Sequence, residues 1–164
     1  MTVTEDAPKI DFTDKPSGYA ELGRTLQALL AGESDSIANL ANAAALLAQH
    51  LPGLNWAGFY LIREGQLVLG PFQGKPACVR IAIGQGVCGT AAAHRRTVIV
   101  SDVHQFPGHI ACDSASNSEI VVPLLRGTDI IGVMDLDSPT LGRFDAADQA
   151  GLENVARLLV GAMA

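Results

Sequence analysis

Apolar positions first recur at helical spacing. Tyr19, Leu22, Leu26 and Leu29 lie three and four residues apart, and Gly32 closes the stripe. Asp35 or Ser36 can cap a second helix carrying Ile37, Leu40, Ala44 and Leu47, which Pro52-Gly53 stops. From Trp56 the period shortens. Residues 56–62 read as a strand, Glu64-Gly65 as a turn and 67–72 as the returning strand of a hairpin. A third strand is expected over 78–83, a short Ala-rich helix over 87–94 after Gly84-Gln-Gly86, and a short strand over 97–100. Residues 101–118 show no sustained period, and a connection of that length is often functional. Two strands, 119–125 and 129–137, flank Arg126-Gly127-Thr128 as a second hairpin, and 145–163 close the chain as a helix with Leu152, Val155, Leu159 and Met163 on one face. Hairpins outnumber crossovers, so the fold class is α+β: a central antiparallel sheet with helices packed on one face. Residues 1–17, polar and holding two prolines, read as a flexible N-terminal arm, and 18–164 as a single domain.

Composition narrows the function classes. Hydrophobic residues make up 48% and charged residues 17% of the 164, which is a globular balance. Net charge is −6 and there is no basic run, which argues against nucleic acid and anionic membranes as partners. The first residues lack a basic start followed by an apolar stretch, and no apolar run reaches the roughly 20 residues of a membrane span. The expected location is the cytoplasm. Three cysteines, Cys78, Cys88 and Cys112, are an odd count for a static disulfide framework. With no CxxC and no closely spaced histidines, no metal site is expected.

Strand alternation sorts the polar residues. Asp135 and Asp137 share one strand face while Met134 and Leu136 take the other, so the two acids either emerge into solvent or form a site for an ammonium group. Trp56 and Tyr60 share a face with Gly58 between them, as core packing or as an aromatic wall with room for a ligand. Glu119 opens an apolar strand and either ends it in solvent or faces an apolar pocket, where its pKa would rise and it could act as a general acid near neutral pH. Cys112 lies in the irregular segment, three residues after His109, where a thiol is more often reactive than inside a strand. Cys88 falls at a helix N-terminus, which favours a thiolate there.

Long blocks of the chain resemble the free methionine-(R)-sulfoxide reductase family. They are Gly70-Pro-Phe-Gln-Gly-Lys-Pro-Ala-Cys78, Gly86-Val-Cys-Gly-Thr90, Asp102-Val-His-Gln-Phe-Pro-Gly-His-Ile-Ala-Cys-Asp113, Ser116-Asn-Ser-Glu-Ile-Val-Val-Pro123, Gly132-Val-Met-Asp-Leu-Asp-Ser-Pro139 and Phe144-Asp145. The departure at Ile81-Ala-Ile-Gly-Gln85 touches no proposed catalytic group. The resemblance implies a GAF domain, usually a homodimer, that uses no cofactor, reduces the R epimer of free methionine sulfoxide and is recycled by thioredoxin. It implies Cys112 as the attacking cysteine, Cys78 as the resolving one and Cys88 as alternative resolver or shuttle. It implies Glu119 as the acid beside the sulfoxide oxygen, Asp135 and Asp137 as carboxylates for the substrate's amino group, and Trp56 and Tyr60 as its aromatic wall. Two rival readings are a GAF module that senses a small ligand and a hydrolase pairing Cys112 with His109; no oxyanion motif supports the second.

Overall fold

Asp14 starts the first helix by accepting from Ser17 N at 3.2 Å, with a proline in the first turn, and helix α1 runs Lys15–Leu30. Of the two expected caps for the second helix, Asp35 is the one used, accepting from Ala38 N at 2.8 Å ahead of α2, Ser36–His50. In the computed structural model, which describes residues 8–163, the strands follow as β1 (Trp56–Arg63), β2 (Gln66–Gln73) and β3 (Arg80–Ala82). Then come α3 (Gly86–His94), β4 (Val98–Val100), β5 (Ser118–Arg126), β6 (Asp129–Ser138) and α4 (Ala146–Ala162), the last opened by a reciprocal cap between Asp145 and Asp148. Glu64 and Gly65 both have positive φ (51° and 78°), the geometry that turns β1 directly into β2.

All strand pairs are antiparallel, and the six strands lie in the order β3-β2-β1-β6-β5-β4. Alternation divides this sheet into two faces. Phe59, Leu61, Ile120, Val122, Leu124, Met134 and Leu136 point to a core shared with α1, α2 and α4. Trp56, Tyr60, Val121 and Val133 point the other way, toward α3. The helices therefore cover both faces, with α3 alone on the second, whereas the sequence places them on one. Burying Asp148 in the first layer is tolerable because Tyr19 Oη donates to it at 2.8 Å and Lys15 and Arg143 reach it at 2.7 and 3.2 Å. Gly151 lets the Tyr19 ring lie directly against α4.

Three expectations need correction. The proposed arm over 1–17 is not loose throughout: Ile10 is buried, its N–H donates to His50 Nδ1 at 3.2 Å, Phe12 packs edge-on against Tyr19 at 5.1 Å, and α1 begins within it. Residues 1–7 lie outside the described residues. Ile37, placed on the apolar stripe of the second helix, is 55% exposed; Leu40, Ala43, Ala44 and Leu47 form the buried face instead. The strand expected over 78–83 is only Arg80–Ala82, and the Cys78 carbonyl accepts from the Tyr60 hydroxyl at 2.9 Å. No described helix is long and apolar enough to cross a membrane.

Candidate active site

The register of the three central strands assembles the second face. On β6, Asp137 stands between Trp56 of β1 and Glu119 of β5, and Asp135 stands between Gly58 and Val121. All four expected polar and aromatic positions on β1 and β6 thus fall on one face, with Glu119 beside them. A Cβ at Gly58 would collide with Phe72 and the Trp56 ring, so glycine lets Phe72 stack against Trp56, centroids 5.3 Å apart and planes 14° from parallel. Trp56 and Tyr60 are themselves stacked at 6.1 Å. Trp56 Nε1 donates to the Lys75 carbonyl at 3.1 Å, and Tyr60 binds the Cys78 carbonyl. This wall therefore also fixes the segment that carries Cys78.

The irregular stretch between β4 and β5 crosses over this face. It holds one 3₁₀ turn, Val103–Gln105, and then delivers His109, Cys112 and Asp113 to the cavity's rim. Cys112 is bonded to Cys78, with Cα atoms 5.6 Å apart. Asn55 anchors the far side of the loop, donating through Nδ2 to Asp113 Oδ2 at 3.1 Å and to Ser116 Oγ at 3.0 Å. Asp113 accepts from Ala115 N at 2.9 Å, which is the main reason its carboxyl lies below the usual range, and Lys75 stands 3.8 Å away. One cavity is lined by Trp56, Tyr60, Cys88, Cys112, Glu119, Asp135 and Asp137.

Charge inside this cavity is scarce in spite of its acids. Burial, reinforced by Asp137, pushes Glu119 up to about 8, so it carries a proton at neutral pH. Burial followed by Glu119 raises Asp135 well above the carboxylate range, and burial followed by Asp135 does the same to Asp137. Asp135 Oδ1 is buried without a hydrogen-bond partner. The arrangement is three buried carboxyls, each with a raised proton affinity.

Cys88 corrects one sequence expectation. It does sit in the first turn of α3, but its Sγ points at the acids, 4.0 Å from Glu119 Oε1. Burial, Asp135 and Glu119 hold its thiol well above its ordinary pKa, and together they outweigh a helix-terminus contribution of about 0.3–1 kcal/mol. Cys88, Glu119 and Asp135 place one donor atom each within 4.8 Å of one another, the grouping among the described residues that could take a divalent cation; such an ion would compete for the same carboxyls as an ammonium. Sequence reasoning missed Asn55, Asp113 and Ser116, whose short polar side chains carry no periodic signal, and considered His109 only as a hydrolase partner. His109 Nε2 lies 3.5 Å from Glu119 Oε2.

The GAF domain family matches residues 34–164. The Escherichia coli K12 protein named free methionine-R-sulfoxide reductase is 56% identical over 142 residues, which are 87% of this chain and 86% of that one. A Saccharomyces cerevisiae protein of the same name is 46% identical over 136 residues, 78% of this chain and 76% of its own. The crystal structure of a free methionine-R-sulfoxide reductase from Neisseria meningitidis, in complex with its substrate, superposes with a TM-score of 0.90 at 45% identity, covering 95% of this chain and 94% of that one. The sheet order, the two-faced layering and these relatives agree: the chain belongs to the GAF domain family and, within it, to the free methionine-R-sulfoxide reductases.

Proposed function

We propose that this chain reduces the R epimer of free methionine sulfoxide to methionine, with Cys112 as nucleophile and Glu119 as general acid. The observation that carries this reading is the meeting, in one cavity, of a proton-bearing buried carboxyl and a cysteine joined to a second cysteine. A sulfoxide sulfur is a poor electrophile until its oxygen is protonated. Glu119 supplies that proton, an effect worth about 10²–10⁴-fold in rate. The Cys112 thiolate bonds to the protonated substrate sulfur; the hydroxyl then passes to Cys112 as the substrate S–O bond and the new S–S bond break, leaving Cys112 as a sulfenic acid and methionine reduced by two electrons. Cys78 then condenses with the sulfenic acid, releasing water and giving the bond between residues 78 and 112. An external dithiol of the thioredoxin kind, in the cytoplasm, regenerates both thiols. Cys88, buried and neutral, is the alternative resolver and needs the cavity to rearrange before it can act.

Asp135 and Asp137 would ionise around the substrate's ammonium group, while Trp56 and Tyr60 wall the methyl-sulfinyl end. A peptide-bound residue brings an amide instead of an ammonium and leaves the acids without counter-charge, so it is rejected. The test is methionine release from each sulfoxide epimer with dithiothreitol, then with thioredoxin. The R epimer alone should be consumed. Equal consumption of both, or of neither, refutes the assignment and leaves ligand sensing as the use of the cavity.

A further inference from the structure

The reduction proposed above makes two demands on protons. Cys112 must lose one to attack, and Glu119 must regain the one it gives to the sulfoxide oxygen. In the sum, thiol plus sulfoxide gives sulfenic acid plus sulfide, and no proton is exchanged with solvent. The two demands cancel when a proton passes from Cys112 to Glu119.

His109 lines the same cavity as both. Its Nε2 is 3.5 Å from Glu119 Oε2, and it precedes Cys112 by three residues on the same loop. The loop is folded tightly at this point: His109 N donates to the Phe106 carbonyl at 3.2 Å and Cys112 N to the Ile110 carbonyl at 3.1 Å. Gly86, with φ of 61°, leaves space that Ile110 fills, its Cδ1 being 3.0 Å from where a Cβ would sit. The loop thus rests on the start of α3 with its histidine against the acid. The His109 side chain is 16% exposed and that of Glu119 7%, so both are largely screened from bulk water.

We propose that His109 is a proton relay for the reaction, its ring accepting the Cys112 proton on one nitrogen while the other returns a proton to Glu119. Bond by bond, the Cys112 S–H breaks and its sulfur becomes S–OH. The substrate S–O bond breaks, its sulfur gaining the electron pair, and Glu119 ends as it began, protonated. Burial lowers the proton affinity of His109, which favours the neutral ring that can accept. The titratable and charged groups sharing the cavity with it are Tyr60 from β1, Lys75 from the β2–β3 connection, Cys88 from α3, Asp113 from its own loop, Glu119 from β5, and Asp135 and Asp137 from β6.

The inference rests on the reductase reading, and its test separates the two. Fully reduced wild type and His109→Gln are mixed with methionine (R)-sulfoxide, and the first methionine formed is timed from about pH 6 to about pH 7.5. Wild type should be nearly flat. His109→Gln should be slower by about 10²-fold or more at the acid end and gain about tenfold per pH unit, because only thiol already ionised can attack. Its affinity for the substrate should be unchanged. A variant that matches wild type, or one slowed by the same factor at every pH, overturns the relay. No methionine from wild type refutes the reductase reading itself. Should His109→Gln fail to form the disulfide between residues 78 and 112 on oxidation, and so be misfolded, His109→Asn carries the same expectation and the same refutation.

Discussion

Replacing Glu119 by glutamine keeps the shape of the side chain and removes its acid. The pKa of this group is about 8 in the folded protein against an ordinary 4.5. Between those values the folded chain holds a proton that the unfolded chain has released. The stability that this group contributes is complete below 4.5 and is lost as pH rises to about 8. At about 1.4 kcal/mol per pH unit the whole loss is about 5 kcal/mol, of which about 3 has accrued by pH 7. Glu119→Gln should escape that loss. Measured as the difference in unfolding free energy between variant and wild type, both with the disulfide intact, the gain over the acid baseline should grow from about pH 4.5 to about pH 8 and then level. The same variant should form its first methionine about 10²–10⁴-fold more slowly. A stability difference that does not change with pH would refute the raised proton affinity of residue 119. A variant reacting at the wild-type rate would refute its role as the acid.

Three further outcomes are expected. Cys78→Ser should release about one methionine per protein and then recycle slowly, since only the buried Cys88 remains to resolve the sulfenic acid on Cys112; thioredoxin-driven recycling at the wild-type rate would exclude Cys78 as the resolver. Binding of free methionine to the reduced protein at about pH 7 should release protons as Asp135 and Asp137 ionise around the ammonium, seen as a binding heat that varies with the ionisation enthalpy of the buffer; a buffer-independent heat would remove these acids from the ammonium site. Gly58→Ala should cost about 1–3 kcal/mol of stability, because the new methyl collides with Phe72 and Trp56, and wild-type stability in that variant would contradict the close stacking.

Much of this site is legible in the sequence because it is built on strands. A period of two puts Asp135 and Asp137 on one side and Met134 and Leu136 on the other, and the structure keeps that division. The same holds for Trp56 and Tyr60 across Gly58. What alternation cannot tell is which face is covered, so solvated acids and a buried site read alike until α3 is seen lying over them. The environment of Cys88 was hidden for a related reason: its place at a helix start is local, while the acids that keep it neutral come from β5 and β6, more than thirty residues away. His109, Asn55 and Ser116 belong to contacts made by irregular chain, for which hydrophobic periodicity carries no information. The N-terminal residues mislead in the opposite direction, since a few apolar side chains among polar ones, Ile10 and Phe12, are enough to dock the segment.

Cys78 and Cys112 are 34 residues apart, and the chain between them includes β3, α3 and β4. Closing a loop of that length removes enough freedom from the unfolded chain to stabilise the fold by about 4 kcal/mol on a chain-entropy estimate. Under the proposed cycle, in which this bond forms and breaks at each turnover, the protein is therefore hardier when spent than when charged. Starved of reductant in an oxidising cell, it would accumulate in the form that proteases open least readily, and a reserve of inactive enzyme would outlast the stress, ready for electrons to return.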